Sequence, residues 1–123
     1  MKNKTRQFSD LIVWQKAHAF ILIIYHFSLQ FPIEEKYGLT SQLRRAAISI
    51  TSNIAEGYGR LTIKDKIRFY VITSGSITEV SNLLYLARDL YYITPKEFDN
   101  FGIKLQEIYR LTNSLIRHCR QRM

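Results

Sequence analysis

Apolar residues along this chain recur at three- and four-residue steps, and no segment bounded by turns alternates with the two-residue period of a half-buried strand. Four helical segments follow. In the first, over about residues 11–30, Trp14, Ala17, Ile21, Ile24 and Ser28 make one seam, and Val13, Phe20 and Phe27 make a second stripe beside it. A helix apolar on two faces needs more cover than a single neighbour gives. Ser9 or Asp10 stands where an N-cap belongs, and Phe31 with Pro32 ends the segment.

The second helix is predicted over about residues 40–58. Its seam is Leu43, Ala47, Ile50 and Ile54, Ala46 keeps it slim, and Gly57 and Gly59 are expected to terminate it. Thr62 and Asp65 have capping-box spacing and open a third helix over about 63–92. There Phe69, Ser76, Leu83 and Leu90 recur every seven residues, with Ile72, Val80 and Ala87 between them. Gly75 falls mid-helix, where glycine costs about 1 kcal/mol relative to alanine; the expected compensation is a close neighbour. The fourth helix, over about 95–120, has the sharpest start: Thr94 as N-cap, Pro95 at the first position and Glu97 at the third. Phe98, Phe101, Leu105, Ile108, Thr112, Leu115 and Cys119 form its seam. Four long helices with short connections predict one all-α domain over residues 1–123, an antiparallel up-down-up-down four-helix bundle with basic tails at 1–9 and 118–123.

Composition narrows the class without naming a function. An apolar fraction of 46% with 23% charged residues excludes a disordered tail. The single cysteine, Cys119, excludes an intrachain disulfide and fits a reducing compartment. The basic N-terminal stretch has no apolar segment behind it, and the longest apolar run, residues 19–25, is far short of a membrane span. A cytoplasmic protein is expected.

Charge changes the picture more. The net charge is +8, and nearly all of it sits at the two ends: Lys2, Lys4 and Arg6 at one, Arg110, Arg117, Arg120 and Arg122 at the other. In an up-down-up-down bundle these ends meet the second connection. One pole then gathers Lys2, Lys4, Arg6, Arg60, Lys64, Lys66, Arg68, Arg117, Arg120 and Arg122, with only Asp10, Glu56 and Asp65 nearby. The opposite pole carries Glu34, Glu35, Asp89, Glu97 and Asp99 against Lys36, Arg88 and Lys96. Such a basic pole suits a phosphate backbone, giving salt-dependent and largely sequence-independent affinity. The competing reading is a basic surface that only keeps the protein in solution. No RNA-recognition aromatic signature, zinc finger or helix-turn-helix pattern is present to read bases.

Other polar residues read as structure. With the second connection centred near residue 60, Gln42, Arg45, Ser76 and Glu79 form a candidate polar cluster that fixes register or an interface. Asn53 is expected opposite Arg68, and Glu56 near Lys64 and Arg68. Glu79 as a general base lacks an adjacent nucleophile or second carboxylate, so neither an enzyme nor a cofactor is expected. His18, His26, His118 and Cys119 lack the three- or four-residue spacing of helical zinc ligands, so no metal is expected. Trp14, Phe20, Tyr25 and Phe27, at helical spacing, read as core or subunit interface rather than base-stacking platforms.

Several motifs, in order, carry a family resemblance. They are Leu11-Ile12-Val13-Trp14-Gln15-Lys16-Ala17, Phe31-Pro32 with Glu35, Tyr37-Gly38-Leu39, Ser41-Gln42-Leu43-Arg44-Arg45-Ala46-Ala47, Asn53-Ile54-Ala55-Glu56-Gly57, and Gly75-Ser76 with Glu79. Nearly the whole chain resembles the bacterial four-helix bundle proteins encoded in intervening sequences of 23S rRNA genes, also called the S23 ribosomal protein family. Ile50-Thr51-Ser52 departs from a proline-containing variant expected there. The resemblance implies an all-α bundle assembling as a ring, a homopentamer. It also implies kinship with the accessory protein of diversity-generating retroelements, a similar bundle that binds a reverse transcriptase and nucleic acid. The expectation is a non-enzymatic, homo-oligomeric bundle binding RNA or DNA through its basic pole, with a protein partner in view. The alternative is a protein-interaction scaffold that binds no nucleic acid.

Overall fold

The computed structural model describes residues 5–123. Four helices make up the fold: α1 (Ile12–Ser28), α2 (Leu39–Tyr58), α3 (Ile63–Asp89) and α4 (Pro95–Gln121). Short 3-10 turns, Phe8–Asp10 and Ile33–Glu35, precede α1 and α2, and there is no strand among the described residues. Each helix packs on two others, in the cyclic order α1, α2, α3, α4, and the α2–α3 contact is the most extensive. As contacts climb along α2 they descend along α3: Gln42 meets Glu79, Ser49 meets Ser76, and Gly57 meets Tyr70. The centre is dry. Ala17, Ala47, Ile50, Ile54, Val80 and Ala87 have no exposed surface, which is why the small residues recur on these faces: they let the backbones approach.

The seams predicted for α2 and α4 are those that are buried, with Ile116 added near the end of α4 and Phe98 and Leu115 only half-buried. Along α3 the first half of the seam is shifted by one residue. Tyr70 and Thr73 are buried, whereas Phe69 is half-exposed and Ile72 and Leu90 are exposed. A seven-residue repeat drifts about 20° per heptad on a straight helix, so a seam that fits the middle misses at both ends. Along α1, Val13, Ala17, Phe20, Ile21, Ile24 and Ser28 face inward and Trp14 and Phe27 are half-buried. Ile12, Leu22 and Leu29 remain uncovered, at 57%, 59% and 74% exposure.

Helix ends follow local chemistry, with corrections. Thr94 and Glu97 form the complete capping box: the Glu97 N–H donates to Thr94 Oγ1 at 3.1 Å and the Thr94 N–H to Glu97 Oε1 at 2.8 Å. Thr62 accepts from the Asp65 N–H at 3.1 Å, the forward half of the box. Neither Ser9 nor Asp10 caps α1. Leu11 occupies the N-cap without a side-chain bond, and Asp10 closes the preceding turn by accepting from the Arg6 and Gln7 amides at 2.9 and 3.2 Å. The third helix stops at Asp89, short of the expected 92. Tyr91 adopts φ 64°, and the Tyr91 and Tyr92 amides return to the Arg88 and Ala87 carbonyls, the two bonds of a left-handed C-terminal cap that glycine usually fills.

The glycines also differ from expectation. Gly57 lies inside α2 rather than ending it: a Cβ there would stand 2.6 Å from Tyr70 Cε1 and 3.0 Å from Phe69 Cβ. Gly59 caps the helix with a right-handed φ of −80°. Gly75 has no neighbour within 4 Å of a Cβ position. Gly57→Ala is therefore expected to lower unfolding free energy by about 1–3 kcal/mol in urea denaturation, because the buried Tyr70 ring must move. Gly75→Ala is expected to raise it by about 1 kcal/mol; a loss would place another chain over that helix face. Tyr91→Gly is expected to raise stability by up to about 1 kcal/mol, since a fully exposed tyrosine gives up backbone strain and no packing.

Candidate nucleic-acid interface

The α2–α3 connection and the end of α4 meet in a small second core. Tyr70, Ile116 and Cys119 are buried together, with Ile63, Ile67 and Leu115 packed around them. Burial pushes the Tyr70 hydroxyl well above its ordinary range, and the neighbouring Cys119 and Tyr58 add to the shift. Burial also raises the Cys119 thiol, against the opposing pull of Lys66 and Arg122. The start of α3, which carries Lys66, and the end of α4, which leads to Arg122, therefore meet at this core although far apart in sequence. Phe8 lines an open cleft with Ser52, Ala55, Glu56, Gly59 and Arg60, so the N-terminal segment arrives at the same end.

The predicted basic residues divide by role. Lys66 is a structural cap: its Nζ donates to the Tyr58 and Gly57 carbonyls at the end of α2, where a cation also suits the helix dipole. Arg60 pairs with Glu56 at 3.0 Å, and its guanidinium lies 4.4 Å from the Phe69 ring centroid. Arg68 pairs with Asp65 at 3.6 Å and stacks on the same ring at 4.7 Å. Lys64, Arg117, Arg120 and Arg122 are exposed and form no ion pair among the described residues. Arg117 Nη2 donates only to Ser114 Oγ at 3.0 Å. Arg6 is exposed, and Lys2 and Lys4 lie outside the described residues.

The polar cluster is only partly as expected. Gln42 Nε2 donates to Glu79 Oε2 at 3.5 Å, a long bond on the surface. Ser76 instead meets Ser49, Oγ to Oγ, at 2.8 Å, and Asn53 Nδ2 donates to the Ser49 carbonyl and hydroxyl at 2.8 and 3.0 Å. Asn53 thus serves its own helix rather than facing Arg68, and Glu56 takes Arg60 rather than Lys64 or Arg68. Arg45 is exposed and has no ion pair among the described residues. Its neighbour Arg44 has the structural role: Nε donates to Ser28 Oγ at 2.8 Å, Nη2 donates to the Tyr25 carbonyl at 3.3 Å, and the guanidinium covers the Tyr25 ring. One residue turns a helix by about 100°, which points Arg44 at α1 and Arg45 at solvent. Ser49, four residues before Asn53, carried the only sequence signal for this network.

At the opposite end three of the five acids, Glu35, Asp89 and Glu97, have partners. Glu35 accepts from the Tyr92 hydroxyl at 2.9 Å and the Leu39 amide at 3.1 Å, and the first of these bonds raises the Tyr92 pKa. Glu97 caps α4, and Asp89 pairs with Arg88 at 2.9 Å. His18 stacks on Trp14 with centroids 4.6 Å apart, and no group of three metal-ligating side chains occurs among the described residues.

Comparison with curated proteins finds no match. Among solved structures, the chain is similar to a protein of unknown function from the S23 ribosomal protein family of Bacteroides thetaiotaomicron. The two are 25% identical over 89% of this chain and 98% of that one, with a TM-score of 0.81. The family model described as 23S rRNA-intervening sequence protein matches residues 9–114. With the motifs in order across that span and four helices in the fold, the chain belongs to the 23S rRNA-intervening sequence protein family.

Proposed function

We propose that this protein is a non-enzymatic, homo-oligomeric helical bundle of the cytoplasm whose basic end binds nucleic acid electrostatically, as an accessory to a protein partner. One observation carries the reading: Lys64, Arg117, Arg120 and Arg122, exposed and without acidic partners among the described residues, belong to the two segments joined at the Tyr70–Cys119 core. Cations already neutralised by carboxylates release little counterion on binding; unpaired ones supply the affinity. The opposed order of the α2–α3 contacts supports an up-down-up-down arrangement, which puts these segments at one pole. In a cyclic assembly every protomer points the same way, so the poles add into one positive face. The RNA in the family name and the ribosomal family of the structural neighbour make RNA the first ligand to try. Glu79, exposed and bound to the Gln42 amide, is the side chain of an interface rather than a general base.

A scaffold without nucleic-acid binding is the second reading, and a separate observation favours it. Ile12 and Leu22 on α1 and Leu29 at its C-cap lie along one exposed face, with Ala19 and His26 at intervening heptad positions. An uncovered apolar line of this kind marks a protein contact.

Fluorescence anisotropy with labelled single- and double-stranded RNA and DNA across a salt series separates the two. The nucleic-acid reading expects binding that weakens steeply with salt. Replacing Arg117, Arg120 and Arg122 together by Gln is expected to flatten the logarithmic salt slope by about 2–3 while leaving the assembly intact; unchanged binding removes the basic end from the account. For the assembly, Leu22→Glu is expected to reduce the particle mass in light scattering to that of one chain. A wild-type protein already monomeric at micromolar concentration would refute self-association.

A further inference from the structure

Charge is spread unevenly over the helices. Between Pro95 and Gln121, α4 carries eight formally charged side chains; between Ile12 and Ser28, α1 carries one. That one, Lys16, is held by Glu107 of α4 at 3.4 Å. The exposed line of Ile12, Ala19, Leu22, His26 and the C-cap Leu29 is therefore free of formal charge. A helix whose outer face meets water carries charged and polar groups there. An apolar face without charge has the composition of the centre of a protein contact.

A hollow of matching chemistry lies elsewhere on the same chain. A groove of about 440 Å³ runs between α3 and α4; no charged side chain lines it, and none of its lining comes from α1. Gly102 lines it from inside α4, where glycine costs about 1 kcal/mol relative to alanine. Among the described residues nothing lies within 4 Å of a Cβ built at Gly102, so no packing within the protomer offsets that cost. Gly75 is equally open but does not line the groove. A glycine in a groove admits the close approach of another backbone.

Spacing and chemistry select a second copy as the occupant. Leu22 and Leu29 stand seven residues apart, as do Thr78 and Tyr85 on the α3 side of the groove and Gly102 and Tyr109 on the α4 side. Seven residues make two turns, about 10.5 Å, so two leucines of one helix reach both halves of the groove. Burying them against uncharged groups leaves no ion without a partner. Pairing α1 with α1 covers the same leucines but leaves Gly102 uncompensated. Ridge and groove are different surfaces of one chain, so their contact is head-to-tail and repeats from copy to copy.

We propose that the exposed line of α1 seats in the α3–α4 groove of a second copy, with Gly102 admitting the α1 backbone. The inference rests on the self-association proposed above and assigns its two surfaces.

The test uses the full chain and two variants. Leu22→Glu spoils the ridge, and Gly102→Glu fills the groove with a charge. Each is expected to weaken self-association roughly a hundredfold or more, read by light scattering on dilution. Circular dichroism of both should match wild type, since Leu22 is exposed and a Cβ at position 102 meets nothing in its own protomer. Each variant keeps the surface that the other lacks. Labelled Leu22→Glu titrated with Gly102→Glu is therefore expected to show saturable one-to-one binding by fluorescence anisotropy, and Leu22→Glu titrated with itself none. A Gly102→Glu protein that assembles like wild type, or two variants that do not bind each other, overturns the ridge-in-groove contact and leaves self-association standing. A wild type that is a single chain at micromolar concentration overturns both.

Discussion

The close approach of α2 to α3 at Gly57 is the contact on which the rest of the molecule depends. A hydrogen in place of a side chain lets the Tyr70 ring sit against the α2 backbone. Tyr70 in turn anchors Ile116 and Cys119 of α4. The same approach brings Lys66 to the last carbonyls of α2, where it satisfies groups that the helix itself leaves open. One missing methyl group thus couples three helices, and it sets where the basic side chains of two distant segments emerge.

Charge at that end divides between structure and surface. Arg60 and Arg68 sandwich Phe69 and each holds a carboxylate. Exposed pairs of this kind contribute at most about 1 kcal/mol each, so their main effect is to orient the guanidinium groups and neutralise nearby acids. Lys64, Arg117, Arg120 and Arg122 are left exposed and without an ion pair among the described residues. At the other end Glu35 and Glu97 act mainly as hydrogen-bond acceptors for backbone amides and the Tyr92 hydroxyl.

Polar groups between α2 and α3 show the same economy. Ser49 bonds both Asn53 and Ser76, while the Thr73 hydroxyl faces the Phe69 carbonyl of its own helix at 3.2 Å and the Ile50 carbonyl of α2 at 3.5 Å. A buried hydroxyl bonded this way makes a helix interface specific without placing a charge in the core. Arg44 does comparable work between α1 and α2, reaching the carbonyl of Tyr25 and the hydroxyl of Ser28 near the end of α1.

The sequence by itself determined the four helices, the Thr94–Glu97 start of α4 and most of the buried seam, because hydrogen-bond caps and three-to-four-residue periodicity are local properties. It also determined that the cations cluster in a few segments. Only the tertiary structure decided the rest. The choice of Arg44 over Arg45 and the inward position of Tyr70 rather than Phe69 turn on rotations of one residue, about 100°, and the use of Gly57 for packing turns on where the Tyr70 ring of α3 falls. Periodicity drifts by a comparable angle over the length of α3. The left-handed Tyr91 and the outward Leu61 were equally invisible in the pattern. Both are set by how the ends of α3 meet its neighbours, and that meeting is a property of the packed helices.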